Sequence, residues 1–426
     1  LGHFKEKGFS RRQRTWGDKR FGGKKTNFWR WFGKVDEKAP PTGKGEQLKV
    51  VQSALQGSPE RVKAYQLLDR AATGERIGVE EALLLFDLPL PLLGEAAYWR
   101  TETLHRSPIR TYHIDRNINY TNICISRCRF CAFWRDKESP EAFVLAWEEL
   151  CQKIEETIAL GGDQILLQGG LHPDLPLSWY EDLLRAIKER FPTINIHAFS
   201  PPEIYHFSRL SGFSIEEVLL RLRHAGLGTL PGGGAEILDE GLRQHLSPQK
   251  VSAAGWLQVM RTWHKLGGRS TATMMFGHLE TRRQRLEHML LLRQLQEETG
   301  GFIAFIPWTF QPGNTALADH VPVGASEYLR TVAVARLFLD NFHNLQASWV
   351  TQGLRVAQLA LHFGANDMGS LMIEENVVAA AGVRFRTTEE EMRETIREAG
   401  FIPKRRNVFY EIIEPEDPTP SNHKSG

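Results

Sequence analysis

The sequence predicts an α/β fold, a parallel (β/α)8 barrel of the TIM type, and three observations carry that reading. From about Arg110 onward, short β-rich runs alternate with longer amphipathic stretches; there are eight such runs; and several end in polar or glycine-rich segments. Those segments are Gln168-Gly169-Gly170, Ser200-Pro201-Pro202-Glu203, Pro231-Gly232-Gly233-Gly234 and Gln311-Pro312-Gly313-Asn314. In a parallel barrel, strand ends of one polarity meet on one rim, and active sites are built there. The same alternation permits a doubly wound open sheet, which stands as the alternative.

Composition frames the elements. The chain has 426 residues, 41% hydrophobic and 24% charged, as expected of a folded globular protein rather than a disordered or disulfide-stapled one. Its richest apolar run, residues 82–93, is cut by Asp87, Pro89 and Pro91, which is too short a stretch to span a bilayer. With no secretory-type apolar core near its start, the chain is expected to be cytoplasmic. Leu1 to Lys34 holds 11 Lys/Arg against 2 acids, leaving 42 against 49 for the rest, so the body is not built for nucleic acid. Residues 1–45 read as a basic tail, whether an organellar address, a nucleic-acid arm or translated upstream sequence. Residues 46–105 read as an N-terminal helical segment, 106–414 as barrel core with a short C-terminal extension, and 415–426 as a polar tail.

In chain order, helical patterns fall around Pro59 to Ala71 and Gly78 to Phe86. Strands are expected at 111–118, 164–168, 194–199, 228–230, 270–276, 302–308, 345–349 and, as the eighth, 356–362. No internal repeat interrupts this series.

Four cysteines occur, and three of them, Cys124, Cys128 and Cys131, lie within eight residues in a loop directly after the first strand. Disulfides cannot consume three thiols. A tetrahedral zinc site would want a fourth ligand at finger-like spacing, and none follows. A 4Fe-4S cluster on three thiolates fits better, because its fourth iron is then open to a ligand. Cys151 stands apart on a helical pattern and reads as a buried, inert thiol. Two other matches carry nothing: Ser247-Pro248-Gln249-Lys250 has Ser-x-x-Lys spacing without the rest of an acyl-enzyme site, and Gly232 to Gly234 lack a following Gly-Lys-Ser/Thr.

Cys124-x3-Cys128-x2-Cys131, with aromatic Phe130 before the last cysteine, resembles the motif of the radical S-adenosylmethionine enzymes. The segments Asn119-Tyr120-Thr121-Asn122, Ser200 to Ile204, Pro231 to Glu236, Thr271 to Gly277 and Gly364 to Asp367 are similar to the branch that makes futalosine-derived and deazaflavin intermediates. Phe305 to Pro312 and Gln346 to Gly353 are similar to the futalosine-cyclising members of that branch. Aminofutalosine synthases and deazaflavin synthase subunits stand as the alternative within it. The likeness runs from about Pro59 to Glu414 and leaves out the basic tail.

The resemblance implies a radical SAM barrel with two cofactors, a 4Fe-4S cluster on Cys124, Cys128 and Cys131 and S-adenosyl-L-methionine. Reductive cleavage of the latter would give a 5′-deoxyadenosyl radical that removes the ribose C4′ hydrogen of dehypoxanthine futalosine, and the carbon radical would close onto the benzoate ring in menaquinone biosynthesis. It also implies an electron donor such as flavodoxin or ferredoxin. Phe130 would lie near the adenine, Gly169 and Gly170 would let backbone approach the methionyl amino group, and Ser200 and Glu236 would bind cofactor from the same rim. Trp308 and Trp349 would sandwich the substrate ring, with Thr351 and Gln352 reaching its oxygens. Glu203, stiffened by two prolines, would accept from a ribose hydroxyl, and His197 would take the proton released after ring closure.

Overall fold

The computed structural model describes residues 59–413. The basic tail expected over 1–45 and the polar tail at 415–426 lie outside those residues, as does the start of the helical segment. Three helices lead in: Pro59–Ala72, Val79–Leu85 and Leu90–His105. The third falls within the helical segment expected over 46–105, although no pattern of its own was singled out there. Its sequence opens on prolines, which are tolerated in a first turn because the missing N–H has no intrahelical partner there. It buries Leu93, Ala96 and Ala97, and Gly94 brings it so near Phe363 that a Cβ would lie 2.6 Å from the ring.

The strands that follow are β1 (Ile109–His113), β2 (Asp115–Asn119), β3 (Gln164–Gln168), β4 (Asn195–Ala198), β5 (Ser270–Phe276), β6 (Phe302–Thr309), β7 (Asp367–Ser370) and β8 (Ile402–Arg405). β1 and β2 are one nearly continuous run. Parallel ladders join β7 to β1 and β1 to β8, β2 to β3 and β3 to β4, and β5 to β6. Single parallel bridges, His197–Thr229, Leu230–Ser270, Phe305–Leu345 and Gln346–Asp367, link those pieces. Eight segments thus follow one another in barrel order: β1/β2, β3, β4, 229–230, β5, β6, 345–346 and β7. The ladders do not run unbroken round the ring, since two staves are reduced to bridging pairs. Helices such as Trp147–Ala159, Leu177–Arg190 and Ala325–Phe338 alternate with them. Ile165, Leu167, Ile196 and Ala198 form a buried apolar face, while the alternate residues Gln164, Gln168, Asn195 and His197, with Leu166 among them, make the opposite face largely polar.

Two strand expectations need correction. Residues 356–362 are not a strand, for Leu354–Ala360 is a helix between left-handed Gly353 and Gly364. A short apolar run is ambiguous between the two states, and here the glycines bracket a helix. The eighth stave is Asp367–Ser370, whose polar composition suits a wall facing a polar interior. The 345–349 run is also shorter than expected, because Trp349 already opens the helix Trp349–Gln352.

Several polar groups of the interior are hydrogen-bonded to one another. Arg406, from the C-terminal extension that β8 adds beside β1, binds Asp367 through Nε at 2.6 Å and Nη2 at 2.9 Å. His113 bonds Asp163 at 2.7 Å and lies 3.7 Å from Asp115, which accepts from Gln164 at 2.9 Å.

Candidate active site

The loop from Tyr120 to Ala146 leaves β2 and is pinned by its own polar groups. Asn122 donates to the Glu141 carbonyl at 2.8 Å and accepts from the Phe143 N–H at 2.9 Å, while the Cys124 N–H donates to the Arg135 carbonyl at 3.1 Å. Within it the Cys131 N–H donates to the Cys128 carbonyl at 3.1 Å. This turn brings Cys124, Cys128 and Cys131 to one cavity of about 240 Å³ at the C-terminal ends of the strands. Burial pushes the Cys128 thiol up to about 11 and the Cys131 thiol upward as well, so a ligand that takes them as thiolates must displace a proton. Cys151 is buried on the helix Trp147–Ala159, away from this cavity.

The donor set fits a cluster. Among the described residues no three His, Cys, Asp or Glu side chains converge tightly enough for a single metal ion, as a tetrahedral zinc would require. Three thiols spread round one cavity suit a multi-iron group held at separate corners. Gly169 and Gly170 close the cavity from β3. A Cβ on Gly170 would lie 2.2 Å from the Ile123 carbonyl oxygen, and one on Gly169 would lie 2.4 Å from the Tyr120 ring. Only glycine lets this strand end approach the cysteine loop so closely.

Glu203 and Ser200 line the cavity from the start of the helix Pro201–Ser211. The Glu203 carboxylate accepts from Tyr120 Oη at 2.6 Å, the Gly169 N–H at 3.1 Å, and the Ser200 N–H and hydroxyl at 2.7 and 2.6 Å. Burial pushes its pKa up, against the pull of those four donors. They saturate it, and so tie the helix start to the glycine pair.

Glu236 is different. It sits at φ 42°, a strained conformation for a residue with a Cβ. Its Oε1 accepts from Lys250 Nζ at 2.9 Å, whereas Oε2 is buried without a hydrogen bond, with Arg243 Nη1 at 3.5 Å. Arg243 is spent on the carbonyls of Gly234, Ala235 and Val251. Lys250 Nζ also lies 5.3 Å from the centroid of Phe130, which lines the same wall. Cysteines, Phe130, both glycines, Ser200, Glu203, Glu236 and Trp308 therefore meet at one cavity.

Four expected site residues do not line it. His197 is inside the barrel wall in register with Leu166, two residues short of cavity-lining Gln168, and bonds Thr229 at 2.8 Å. Burial lowers its pKa to about 4, which keeps the ring neutral. Trp349 is buried, with Nε1 donating to the Ser370 carbonyl at 2.8 Å, so Trp308 shares the cavity with Phe310 instead. Thr351 lies behind the wall and faces Ser348 Oγ at 3.0 Å; Gln352 donates to Thr309 Oγ1 at 2.7 Å. Both brace the end of β6, beside which Gln311 lines the cavity.

Sequence reasoning missed Lys250, Gln311 and the amides Asn119, Asn122 and Gln168 as lining groups. Gln311 and the amides sit in strand-end segments and motifs whose polarity was the available signal. Lys250 lies in the tetrapeptide set aside as a stray Ser-x-x-Lys match. For Val377 and Val378, on the short helix Asn376–Ala380 at the cavity mouth, no sequence signal existed.

The profile of the Radical SAM superfamily matches residues 118–292, and that of the CofH/MqnC C-terminal region matches 299–418. A cyclic dehypoxanthine futalosine synthase of Halalkalibacterium halodurans is 47% identical over 348 residues, covering 82% of this chain and 94% of that protein. The chain belongs to the radical SAM superfamily. It is a radical SAM enzyme, and the family implies the iron–sulfur cluster and S-adenosylmethionine that the three thiols are suited to serve. A 5-amino-6-(D-ribitylamino)uracil--L-tyrosine 4-hydroxyphenyl transferase of Archaeoglobus fulgidus is 42% identical, covering 71% of this chain and 89% of that protein. In fold, the chain is similar to the FeFe-hydrogenase maturase HydG, with a TM-score of 0.64 at 16% identity, covering 85% of this chain and 79% of that one. No helix among the described residues is long and apolar enough to cross a membrane.

Proposed function

We propose that this enzyme converts dehypoxanthine futalosine to cyclic dehypoxanthine futalosine. The observation that carries the reading is the 47% identity to a synthase of that product over nearly its whole length. Cys124, Cys128 and Cys131 would hold the cluster, with Phe130, Gly169, Gly170 and Glu236 beside S-adenosylmethionine. When bound, the cluster and S-adenosylmethionine would supply a 5′-deoxyadenosyl radical able to take the ribose C4′ hydrogen as 5′-deoxyadenosine; closure of the resulting carbon radical onto the benzoate ring would then need the loss of one proton and the return of one electron to the oxidised cluster to restore aromaticity.

The chain's own work is to hold and shield. Trp308 and Phe310 offer aromatic faces to a benzoate ring, and Asn119, Gln168 and Gln311 offer amide donors and acceptors to ribose hydroxyls. Glu236 Oε2 accepts no hydrogen bond from the protein, Arg243 Nη1 standing off at 3.5 Å, which leaves it an acceptor for a ligand hydroxyl or ammonium. An intramolecular addition gains most from such positioning, because its rate depends on holding the two carbons in a near-attack pose. Phe133, Val377 and Val378 supply apolar wall that keeps water and stray hydrogen donors away.

The test is an anaerobic incubation of cluster-loaded protein with dithionite, S-adenosylmethionine and dehypoxanthine futalosine, read by mass spectrometry. We expect 5′-deoxyadenosine together with a product two mass units lighter than the substrate. Deoxyadenosine without that product would overturn the substrate reading and favour the second one, motivated by the 42% identical transferase. That reading is an intermolecular joining of two reactants, checked with 5-amino-6-(D-ribitylamino)uracil and L-tyrosine.

A further inference from the structure

One wall of the cavity is unlike the others. Val377, Val378 and Ala381 line it from a segment in which every residue from Met372 to Ala381 is half-exposed, and the helix within it, Asn376–Ala380, buries none of its residues. A five-residue helix without core packing does not hold itself together, so this wall depends on its ties.

Those ties are unequal, and Glu375 is not alone among them: Lys153 Nζ donates to both Glu374 carboxylate oxygens at 2.9 and 2.8 Å, and Asn376 Nδ2 donates to Asn119 Oδ1 at 3.3 Å. At the entering end, the Ile373 N–H donates to the Asp115 carbonyl and the Asn117 N–H to the Glu374 carbonyl, both at 3.2 Å. Glu375 then joins barrel to helix: Oε2 accepts from Asn117 Nδ2 at 2.6 Å, while Oε1 accepts from the Val377 and Val378 N–H groups at 2.8 and 3.0 Å. At the leaving end, Asn314 Nδ2 donates to the Ala380 carbonyl at 2.8 Å, from the loop that follows β6. The segment therefore crosses the mouth from β2 to β6. Left-handed residues bracket it, Met372 at φ 44° and Gly382 at φ 91°, where the chain turns sharply.

We propose that residues 372–382 form a lid over the reaction cavity and that Glu375 is its positioning residue, latching it to Asn117 of β2. With the latch made, the two valines complete the apolar wall; with it broken, the helix loses its cap and its bond to Asn117, is left with the longer Asn376–Asn119 bond and the ties at its two ends, and the mouth loosens. The inference rests on the cavity being the radical SAM site, not on the identity of the substrate.

Asn117 makes the latch testable by exchange of chemistry. Its Oδ1 is buried without a partner, so Glu375→Gln can keep the latch: the amide of Asn117 flips, Gln Nε2 donates to Oδ1, and Gln Oε1 still caps the helix. Asn117→Asp instead sets carboxylate against carboxylate. Pairing Asn117→Asp with Glu375→Gln restores a donor facing an acceptor.

Amide hydrogen exchange on the full chain, followed in peptides covering 374–381, reads the lid directly. We expect roughly ten-fold faster exchange in Glu375→Ala and Asn117→Asp, the scale of a lost helix cap. Near-wild-type exchange is expected in Glu375→Gln and in the double variant, with the amides of Ile165 and Leu167 unchanged in all four. In cluster-loaded wild-type protein, S-adenosylmethionine is expected to slow the same lid amides. Unaltered exchange in Glu375→Ala, or no recovery in the double variant, would overturn the latch. Lid amides indifferent to S-adenosylmethionine would overturn the covering role.

Discussion

Two buried carboxylates, Asp367 inside the barrel and Glu236 on its rim, stand in opposite states of satisfaction. Asp367 accepts from Arg406 twice, from Thr111 Oγ1 at 2.5 Å and from the Gly369 N–H at 2.8 Å. Glu236 keeps one oxygen without a hydrogen bond, on a backbone held left-handed. A buried polar group costs stability unless it is paired, so the interior shows what folding alone asks for. A strained acid on a cavity wall, with one oxygen left without a hydrogen bond, is what a binding site asks for. By this criterion Glu203, although on the rim, belongs with Asp367, because its four hydrogen bonds leave it nothing to offer a ligand without breaking one.

The largest contrast comes from the rim thiols. Cys124→Ala, Cys128→Ala or Cys131→Ala is expected to abolish cluster assembly, read as iron and sulfide content, and with it cleavage of S-adenosylmethionine. Cys151→Ala, on a buried helical face, should leave both intact. Full cluster content in any of the three would break the assignment of the rim to chemistry. Next comes the interior: Asp367→Ala leaves the Arg406 guanidinium buried without its counter-charge and is expected to cost about 3–5 kcal/mol in urea unfolding. A loss under 1 kcal/mol would mean that water reaches the barrel floor and that the two regions differ less than their hydrogen bonds imply.

A pair of glutamates on one rim sharpens the comparison. Glu203→Gln turns one acceptor toward donors and should cost about 1–3 kcal/mol of stability. Glu236→Gln should cost less than that and instead weaken S-adenosylmethionine binding about ten-fold, measured by calorimetry on cluster-loaded protein. The reverse pattern would exchange their roles.

The same contrast accounts for what could be read in advance. Barrel class was legible because strand and helix periods, and the Gly/Pro segments that end the runs, are local signals. The meeting of three thiols at one cavity was legible because they share one loop. Asp367–Ser370 was not, since a stave facing a polar interior carries no β-branched run, and the apolar 356–362 stretch drew the strand assignment instead. Depth inside a barrel was invisible too. His197 and Gln168 both lie on polar-facing positions of neighbouring strands, but register, set by pairing across strands, places only Gln168 at the cavity. Trp349, Thr351 and Gln352 failed for a related reason: helix starts directly after residue 348, which turns them behind the wall rather than onto it. Lys250 joins Glu236 across 14 residues of chain, a meeting that no spacing rule foretells.

His197 offers the finest test, because it places one residue on either side of the divide. Its folded pKa is lowered to about 4 by burial, against about 6.5 for an unfolded histidine. The unfolded chain therefore takes up this proton first as pH falls, so the contribution of His197 is fully present above pH 6.5 and is lost progressively towards pH 4. Between pH 7.5 and 5.5 that amounts to about 1 kcal/mol. His197→Asn, which can retain a bond to Thr229, should flatten the pH dependence of unfolding by that amount and leave S-adenosylmethionine affinity at pH 7.5 unchanged. A histidine working at the cavity would behave otherwise: the slope would persist, carried by the other buried histidines, while ligand affinity or turnover fell.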